Sequence, residues 1–370
     1  MNILIITPDY PDRYKVHYPF VKQLVDEFAR QGHTCFVIAP YSITKNRRFY
    51  KSIEKDGDVT VYRPNHLSFS NYKLGKIKLS EFFRCKAIQR ATKWLPVKPD
   101  IVYCHFWKCA SEAYPYASKF NLPLFVASGE STIESFFDGG SLSKEISDYV
   151  LGVICVSSKN KEESISLGFT TADKCMVSPN SVNGRLFRKM DKSECRKKLG
   201  ISEDKFLISF VGAFINRKGS ERVSDAIKKI NGEPVYSLFI GKGDEEPTCN
   251  NILYKGRLLH EDIPVYLNAS DVFVLPTLAE GCCNAIVEAM SCGLPIISSN
   301  LPFNWDVLND RNSIMINPND VDAIAQAIIK LRDDKGLRRK MAEESLAVAK
   351  SLTIDQRASN IIMFVKSHLK

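Results

Sequence analysis

The sequence predicts an α/β protein of two successive doubly wound domains, and three observations carry that expectation. Short, near-continuous apolar runs recur along the chain, the mark of strands buried on both faces of a parallel sheet. Segments with helical apolar spacing separate these runs, in the order of βαβ units. The pattern begins at residue 2 and begins again at residue 206 of a 370-residue chain, which is longer than one hydrophobic core usually serves.

Residues 2–7 form the first expected strand. Val21, Leu24, Val25 and Phe28 then fall at helical spacing, with Gly32 as a stop signal. Further strands are expected at 35–39, 101–104, 124–127 and 153–156. The second unit has expected strands at 206–211, 236–240, 251–254, 272–275 and 296–297, with helices at 221–230, 263–268 and 285–291. Pro-Asn and Asn-Gly interrupt the periodicity between residues 178 and 187. The expected domains are therefore 1–178 and 179–352, and a helical tail at about 353–370 could pack back on the first. Lys55-Asp-Gly-Asp58 reads as a polar turn between strands. A cleft between two such domains is a usual ligand site.

Composition is 44% hydrophobic and 25% charged, that of a globular chain. No apolar run approaches the roughly 18–20 residues that span a bilayer. The opening Met-Asn-Ile-Leu-Ile-Ile-Thr-Pro reads as a strand and not as a secretion leader, so the expectation is a cytoplasmic protein. Eleven scattered cysteines contain no C-x-x-C pair, and Cys35, Cys104 and Cys155 lie in apolar runs, as buried free thiols do. The formal charge of +9 suits anionic partners. With no zinc finger, aromatic RNA-binding motif or helix-turn-helix, nucleic acid is not expected among them.

Residues 72–98 stand out locally. Lys73, Lys76, Lys78, Arg84, Lys86, Arg90, Lys93 and Lys98 are opposed within the segment by Glu81 alone, with Phe82, Phe83, Ile88 and Trp94 interleaved. A basic amphipathic segment of this kind can lie on an anionic membrane surface. A solvated basic helix with its aromatic side on the core is the other reading.

The most informative stretch runs from Pro276 through Glu280-Gly281-Cys282-Cys283-Asn284 to Glu288 and Gly293. An expected strand ends, a short loop carries Glu280-Gly281, and an apolar helix starts near Asn284. Free amides of Cys282, Cys283 and Asn284 at that helix start suit a phosphate. Glu280 precedes the helix and Glu288 lies about one turn into it, so the two can hold different parts of one ligand, a sugar ring and a ribose diol. Acidic residues also gather at helix starts for dipole reasons alone. The combination, more than either residue, carries the signal.

This segment resembles the Glu-x7-Glu motif of the retaining glycosyltransferases of family 4, which have the GT-B fold of two Rossmann-like domains facing across a cleft. Phe210-Val-Gly212-Ala-Phe-Ile-Asn-Arg217-Lys218-Gly219 is similar to that family's strand–glycine loop with a basic pair. Ser178-Pro-Asn180-Ser-Val-Asn183…Phe187, Ala269-Ser-Asp271 and Tyr10-Pro11…Phe20-Val21-Lys22-Gln23 match further family segments. The resemblance implies an acceptor-binding first domain and a donor-binding second one. Glu288 would bind the donor ribose, and Glu280 with the amides of Gly281 to Asn284 would hold the transferred sugar. The small Cys282 and Cys283 would let that sugar approach the backbone. Arg217 and Lys218 would meet the diphosphate charge that grows as the glycosidic bond breaks. Gly212 would lie in the donor loop, and Arg257 beside a base pocket lined mostly by backbone. The implied substrate is a nucleotide-diphosphate sugar, with no metal and no other cofactor. The implied acceptor is a saccharide or lipid-linked saccharide of bacterial surface polysaccharide.

Three departures fall on the loops. Ala213 stands where many members carry Arg, and Ser128-Gly129-Glu130 where many carry His-Gly. Tyr14-Lys-Val-His17 replaces a glycine pair after the first strand. Glu130, His17 and His105 are the candidates to replace the missing histidine, with Ser128 beside them on the acceptor side; His105 could equally be a packed residue. Gly241-Lys-Gly243 lacks the third glycine of a dinucleotide fingerprint, which argues against an oxidoreductase. A GT-B nucleotide-sugar epimerase and a non-catalytic nucleotide-sugar-binding relative are the remaining alternatives.

Overall fold

The computed structural model describes residues 1–12, 18–46, 53–69, 72–75, 77–134 and 142–369. The chain divides into two compact units, Met1–Ser178 with Ile354–Lys370, and Pro179–Thr353.

The first unit is built on strands β1 (Asn2–Ile6), β2 (Thr34–Ile38), β3 (Ile53–Asp56), β4 (Val59–Tyr62), β5 (Ile101–His105), β6 (Leu124–Ser128), β7 (Val150–Cys155) and β8 (Cys175–Val177). Their order across the sheet is β8-β7-β6-β5-β1-β2-β4-β3, with β3 alone antiparallel to its neighbour. The apolar runs follow from burial on both faces. Ile3 and Ile5 of β1 join one core cluster with helix α1 (Pro19–Arg30), while Leu4 and Ile6 join the other. On that other face lie Ile88 and Ala91 of α2 (Leu79–Ala91) and Trp107, Ala110 and Ala113 of α3 (Trp107–Lys119). The C-terminal helix α4 (Ile354–His368) places Ala358, Ile361, Ile362 and Val365 in the α1 cluster and so completes this unit.

The segment 72–98 is less uniform than its charge suggests. Residues 73–74 and 77–78 form a short hairpin ahead of α2. Arg84 is half-buried and pairs with Glu112 at 3.0 Å, Arg90 donates to the Asn65 carbonyl, and Lys78 pairs with Glu81, which Lys108 also approaches. Lys76 lies outside the described residues. The basic stripe facing solvent thus reduces to Lys73, Lys86, Lys93 and Lys98. No helix among the described residues is long and apolar enough to cross a membrane.

The second unit has strands β9 (Phe206–Val211), β10 (Val235–Ile240), β11 (Ile252–Gly256), β12 (Val272–Leu275), β13 (Ile296–Ser299) and β14 (Ser313–Ile316), all parallel, in the order β11-β10-β9-β12-β13-β14. The order reverses between β9 and β12, the two strands whose exit loops carry Arg217 with Lys218 and Glu280. Such a switch point is where doubly wound sheets bind ligands.

The Gly241-Lys-Gly243 string has a steric origin. A Cβ on Gly241 would lie 1.8 Å from the Gly212 carbonyl oxygen, and one on Gly243 would lie 2.1 Å from that of Phe214. The loops after β9 and β10 therefore touch backbone to backbone, joined by a hydrogen bond from the Phe214 amide to the Lys242 carbonyl. Gly241→Ala is expected to lower the chemical-unfolding midpoint of this unit by an amount equivalent to about 2–3 kcal/mol. Gly184→Ala, where nothing lies within 4 Å, should leave it in place. Equal midpoints for the two variants would show that the loops separate at little cost.

Candidate active site

The site grows from the two loops at the switch point. After β12 the chain turns through Thr277, whose hydroxyl lies 2.8 Å from Oε1 of Glu280 and 3.1 Å from the Arg217 carbonyl. The same Glu280 oxygen accepts from Arg217 Nη1 at 2.8 Å and Lys218 Nζ at 2.5 Å. Arg217 Nη1 also donates to the Ala279 carbonyl, and the Leu278 amide donates to Arg217 O. Arg222 closes the far side, its two terminal nitrogens donating to Asn216 O and Pro276 O at 2.8 Å each. Gly219, at φ +82° with Pro276 O beside it, is the residue that lets the loops approach there.

Lys218 is largely buried, its aliphatic stem over Gly212 and its ammonium 3.9 Å from the Cys283 sulfur. Burial alone would lower its pKa, but Cys283 and the Glu280 carboxylate outweigh that and raise it. It is a fixed cation at neutral pH. Burial pushes the Cys283 thiol up.

Helix α5 (Asn284–Ser291) follows, with Cys283 at its N-cap. Among the described residues nothing accepts from the backbone amides of Cys283 and Asn284. The Asn284 side-chain oxygen is buried and lacks a partner among those residues. The loop entering the helix is held by Asn180, whose amide donates to the Cys282 carbonyl at 2.9 Å, and Gly281 and Cys282 are buried within it. Glu288, one turn in, is 2.9 Å from Nε2 of His260. The arrangement presents fixed cations, unpaired amides and two carboxylates along one helix start, a set that can hold an anion beside hydroxyl groups.

The structure joins Arg217, Lys218, Glu280, Cys283 and Gly212 into one cluster. Arg257 stands apart, exposed on the loop after β11, where its carbonyl accepts from the Tyr254 hydroxyl. His260, Thr277 and Asn180 were missed from sequence. Asn180 lay in a quoted Pro-Asn segment, but nothing local revealed its partner more than a hundred residues away.

In the first unit, Glu130 is 2% exposed and both its oxygens are engaged. Oε1 accepts from the Trp107 amide at the start of α3, and Oε2 accepts from the Ser128 hydroxyl and the Gly129 amide. Burial raises its pKa against these hydrogen bonds. The expectation of a catalytic Glu130 gives way to a brace, because a carboxylate that caps a helix from inside the core has no free oxygen for substrate. Ser128 is fully buried in the same network. His105 is packed against Phe20, Tyr103 and Phe106. Burial and the Arg357 charge lower its pKa to about 3, so it stays neutral at working pH and offers no imidazolium. His17 lies outside the described residues.

Comparison with known proteins places this fold among the GT-B glycosyltransferases. The sucrose-phosphate synthase of Thermosynechococcus elongatus superposes over 99% of both chains with a TM-score of 0.81 at 16% identity. HepE of Anabaena, solved in complex with UDP, superposes over 99% of this chain and 100% of its own with a TM-score of 0.76 at 16% identity. Residues 20–184 match the family described as Glycosyltransferase Family 4, and residues 191–347 match Glycosyl transferases group 1. The chain belongs to the family-4 glycosyltransferases and is a sugar-transferring enzyme. TuaC of Bacillus subtilis (strain 168), named for teichuronic acid biosynthesis, is 25% identical over 367 residues, 93% of this chain and 92% of its own. An Escherichia coli UDP-Gal:alpha-D-GlcNAc-diphosphoundecaprenol alpha-1,3-galactosyltransferase is 36% identical over 202 residues, 50% of this chain and 52% of that enzyme.

The depressed His105 pKa carries a stability consequence of definite sign. Between about pH 6.5 and about pH 3 the unfolded chain binds a proton at this residue that the folded chain refuses, so stability is lost as pH falls through that window. His105→Gln is expected to flatten that part of the denaturant-midpoint-versus-pH curve by up to one proton. An unchanged slope would place the acid sensitivity elsewhere.

Proposed function

We propose that this enzyme is a retaining, metal-independent transferase, moving a sugar from a nucleoside-diphosphate donor to a saccharide or lipid-linked saccharide acceptor in bacterial surface-polysaccharide synthesis. In this reading the second unit binds the donor and the first binds the acceptor. The observation that carries it is the convergence of Arg217 and Lys218 on one oxygen of Glu280, beside the unpaired amides that open α5. Supporting it are HepE, solved with UDP, and the E. coli relative, whose name specifies UDP-Gal and a diphosphoundecaprenol-linked sugar.

The diphosphate lies against Lys218, Arg217 and the α5 amides, the transferred sugar against Glu280 and the Gly281–Asn284 backbone, and the ribose diol on Glu288. The bond from the anomeric carbon to the phosphate oxygen breaks, and its electron pair stays on the diphosphate, where the two cations and the amides meet the new charge. The acceptor hydroxyl attacks from the same face and gives its proton to the departing phosphate oxygen. The anomeric configuration is retained and no metal takes part.

We also propose that the protein works in the cytoplasm, with Tyr72, Leu74 and Phe82, all exposed, touching an anionic membrane face, and with Lys73 and Lys86 meeting its charge. Lys86 sits over the Phe82 ring, so cation and aromatic group form one patch. Liposomes rich in anionic lipid should retain the protein at low salt and lose it with Lys73→Glu/Lys86→Glu. Retention equal for that variant would remove the patch from the account.

The direct test is thermal-shift binding of uridine, guanosine and thymidine diphosphate sugars in EDTA, on wild type and Glu288→Ala. One nucleotide class should stabilise wild type and not the variant; stabilisation that requires added metal would overturn the metal-free reading. With donor and acceptor in hand, Lys218→Ala should lower kcat about 10²–10³-fold. A product of inverted anomeric configuration would overturn the retaining mechanism.

A further inference from the structure

His260 belongs to no part of the reading above, yet it is the residue in contact with Glu288. It sits on the loop that leaves β11, four residues beyond the strand end, and its Nε2 is 2.9 Å from Glu288 Oε1. The ring packs on the fully buried Phe187, with centroids 5.0 Å apart, so its position is set by the core and not by solvent. Glu288 is itself 13% exposed, and among the described residues His260 is its only hydrogen-bond partner.

Glu288 stands on the first turns of α5 with three rotatable bonds above the backbone. Fixing such a side chain costs rotamer freedom, which binding must otherwise supply when a ligand arrives. A hydrogen bond from His260 to Oε1 fixes it in advance and leaves Oε2 as acceptor.

We propose that His260 is a positioning residue for the nucleotide: it holds Glu288 by one oxygen so that the other accepts from the ribose diol, and it does so best when protonated. The proposal rests on the assignment of Glu288 to the ribose. Burial works against the protonated ring, but the hydrogen bond and charge of Glu288 prevail and raise the pKa. Arg257, Glu261 and Asp262 on the same loop and Arg188 beside Phe187 are all exposed, and Glu288 is the charge that acts on the ring. The imidazolium also reduces the net negative charge near an anionic ligand. Deprotonation keeps the Nε2 hydrogen bond in one tautomer but removes that charge, so nucleotide binding should weaken as pH rises through the His260 transition.

The test uses the full chain and UDP and GDP as probes, with Kd measured calorimetrically from pH 6 to 9. For the nucleotide that binds, wild type should lose affinity as pH rises. His260→Ala should bind about tenfold more weakly at pH 6.5. His260→Gln, which restores a donor but cannot titrate, should recover most of that loss and give a flat profile over this range. Because the alanine variant leaves a gap beside Phe187, its folding is checked by thermal melting, and the glutamine profile stands on its own if alanine fails to fold. A glutamine profile that still falls with pH as wild type does overturns the proposal, as does wild-type affinity in folded His260→Ala. Glu288→Ala separates the two levels: if it binds like wild type, the ribose assignment has failed. If it loses binding while both histidine variants behave as wild type, that assignment stands and only the role of His260 has failed.

Discussion

One oxygen of Glu280 organises the loops at the switch point of the second unit. A guanidinium, an ammonium and a hydroxyl converge on it from Arg217, Lys218 and Thr277, within 2.5–2.8 Å. Arg217 and Lys218 come from the loop after β9, and Glu280 and Thr277 from the loop after β12, so the contact joins two strands' exits where the sheet order reverses. Charges partly removed from water cost desolvation energy unless they are paired closely, which is why the three donors and the acceptor are found together. The result is that both cations are in place before any anion arrives. Under the function proposed above, a diphosphate meeting this site would exchange partners with Glu280 and would not have to gather long, mobile side chains.

That knot depends on backbone geometry further out. Gly241 and Gly243 let the loops after β9 and β10 lie against each other, and Gly219 lets the basic loop pass under Pro276 O. Asn180 holds the Cys282 carbonyl, and Ser299 donates to the Thr277 carbonyl at 2.5 Å, so the turn carrying Glu280 is gripped from both sides. Cysteine at 282 and 283 fits this crowding: both are buried and small, and the Cys283 sulfur lies 3.9 Å from the Lys218 ammonium.

Most of the fold was legible because its strands are buried on both faces and read as apolar runs. β1, β5, β9 and β12 lie within a residue or so of their expected bounds. The strands missed in sequence are those without such a run. β3 and β4 form an edge hairpin in which Ile53-Glu-Lys-Asp56 alternates, although its turn at Asp56-Gly57 was recognisable. β8 has only three residues, and β14 sits at the sheet edge. In the site, Glu280, Glu288 and the basic pair could be read because chemistry and spacing coincide on one local segment. His260 could not, since a lone histidine before Glu-Asp on a turn carries no local signal until Glu288 is placed opposite it. Glu130 misled for the complementary reason: its place at a strand exit is that of a catalytic group, but only the folded chain brings the Trp107 amide to its carboxylate.

The first unit's edge bears on mechanism. An inverting transfer needs a side-chain base within hydrogen-bond reach of the acceptor hydroxyl. Glu130 has both oxygens committed inside the core, one of them to the buried Ser128 hydroxyl. His105 is 4% exposed, ringed by aromatic side chains on the α1 face of the sheet. Each of these groups is buried away from solvent, and withdrawing it to serve as a base would break packing or uncap α3. The same-face transfer proposed above would make no such demand, because in it the departing diphosphate is itself the proton acceptor, held by Lys218 and Arg217. Among the described residues the strand-edge carboxylate is a structural brace and the strand-edge histidine stays neutral, and under the proposed same-face transfer neither would be called on as a base, since that base would arrive with the substrate.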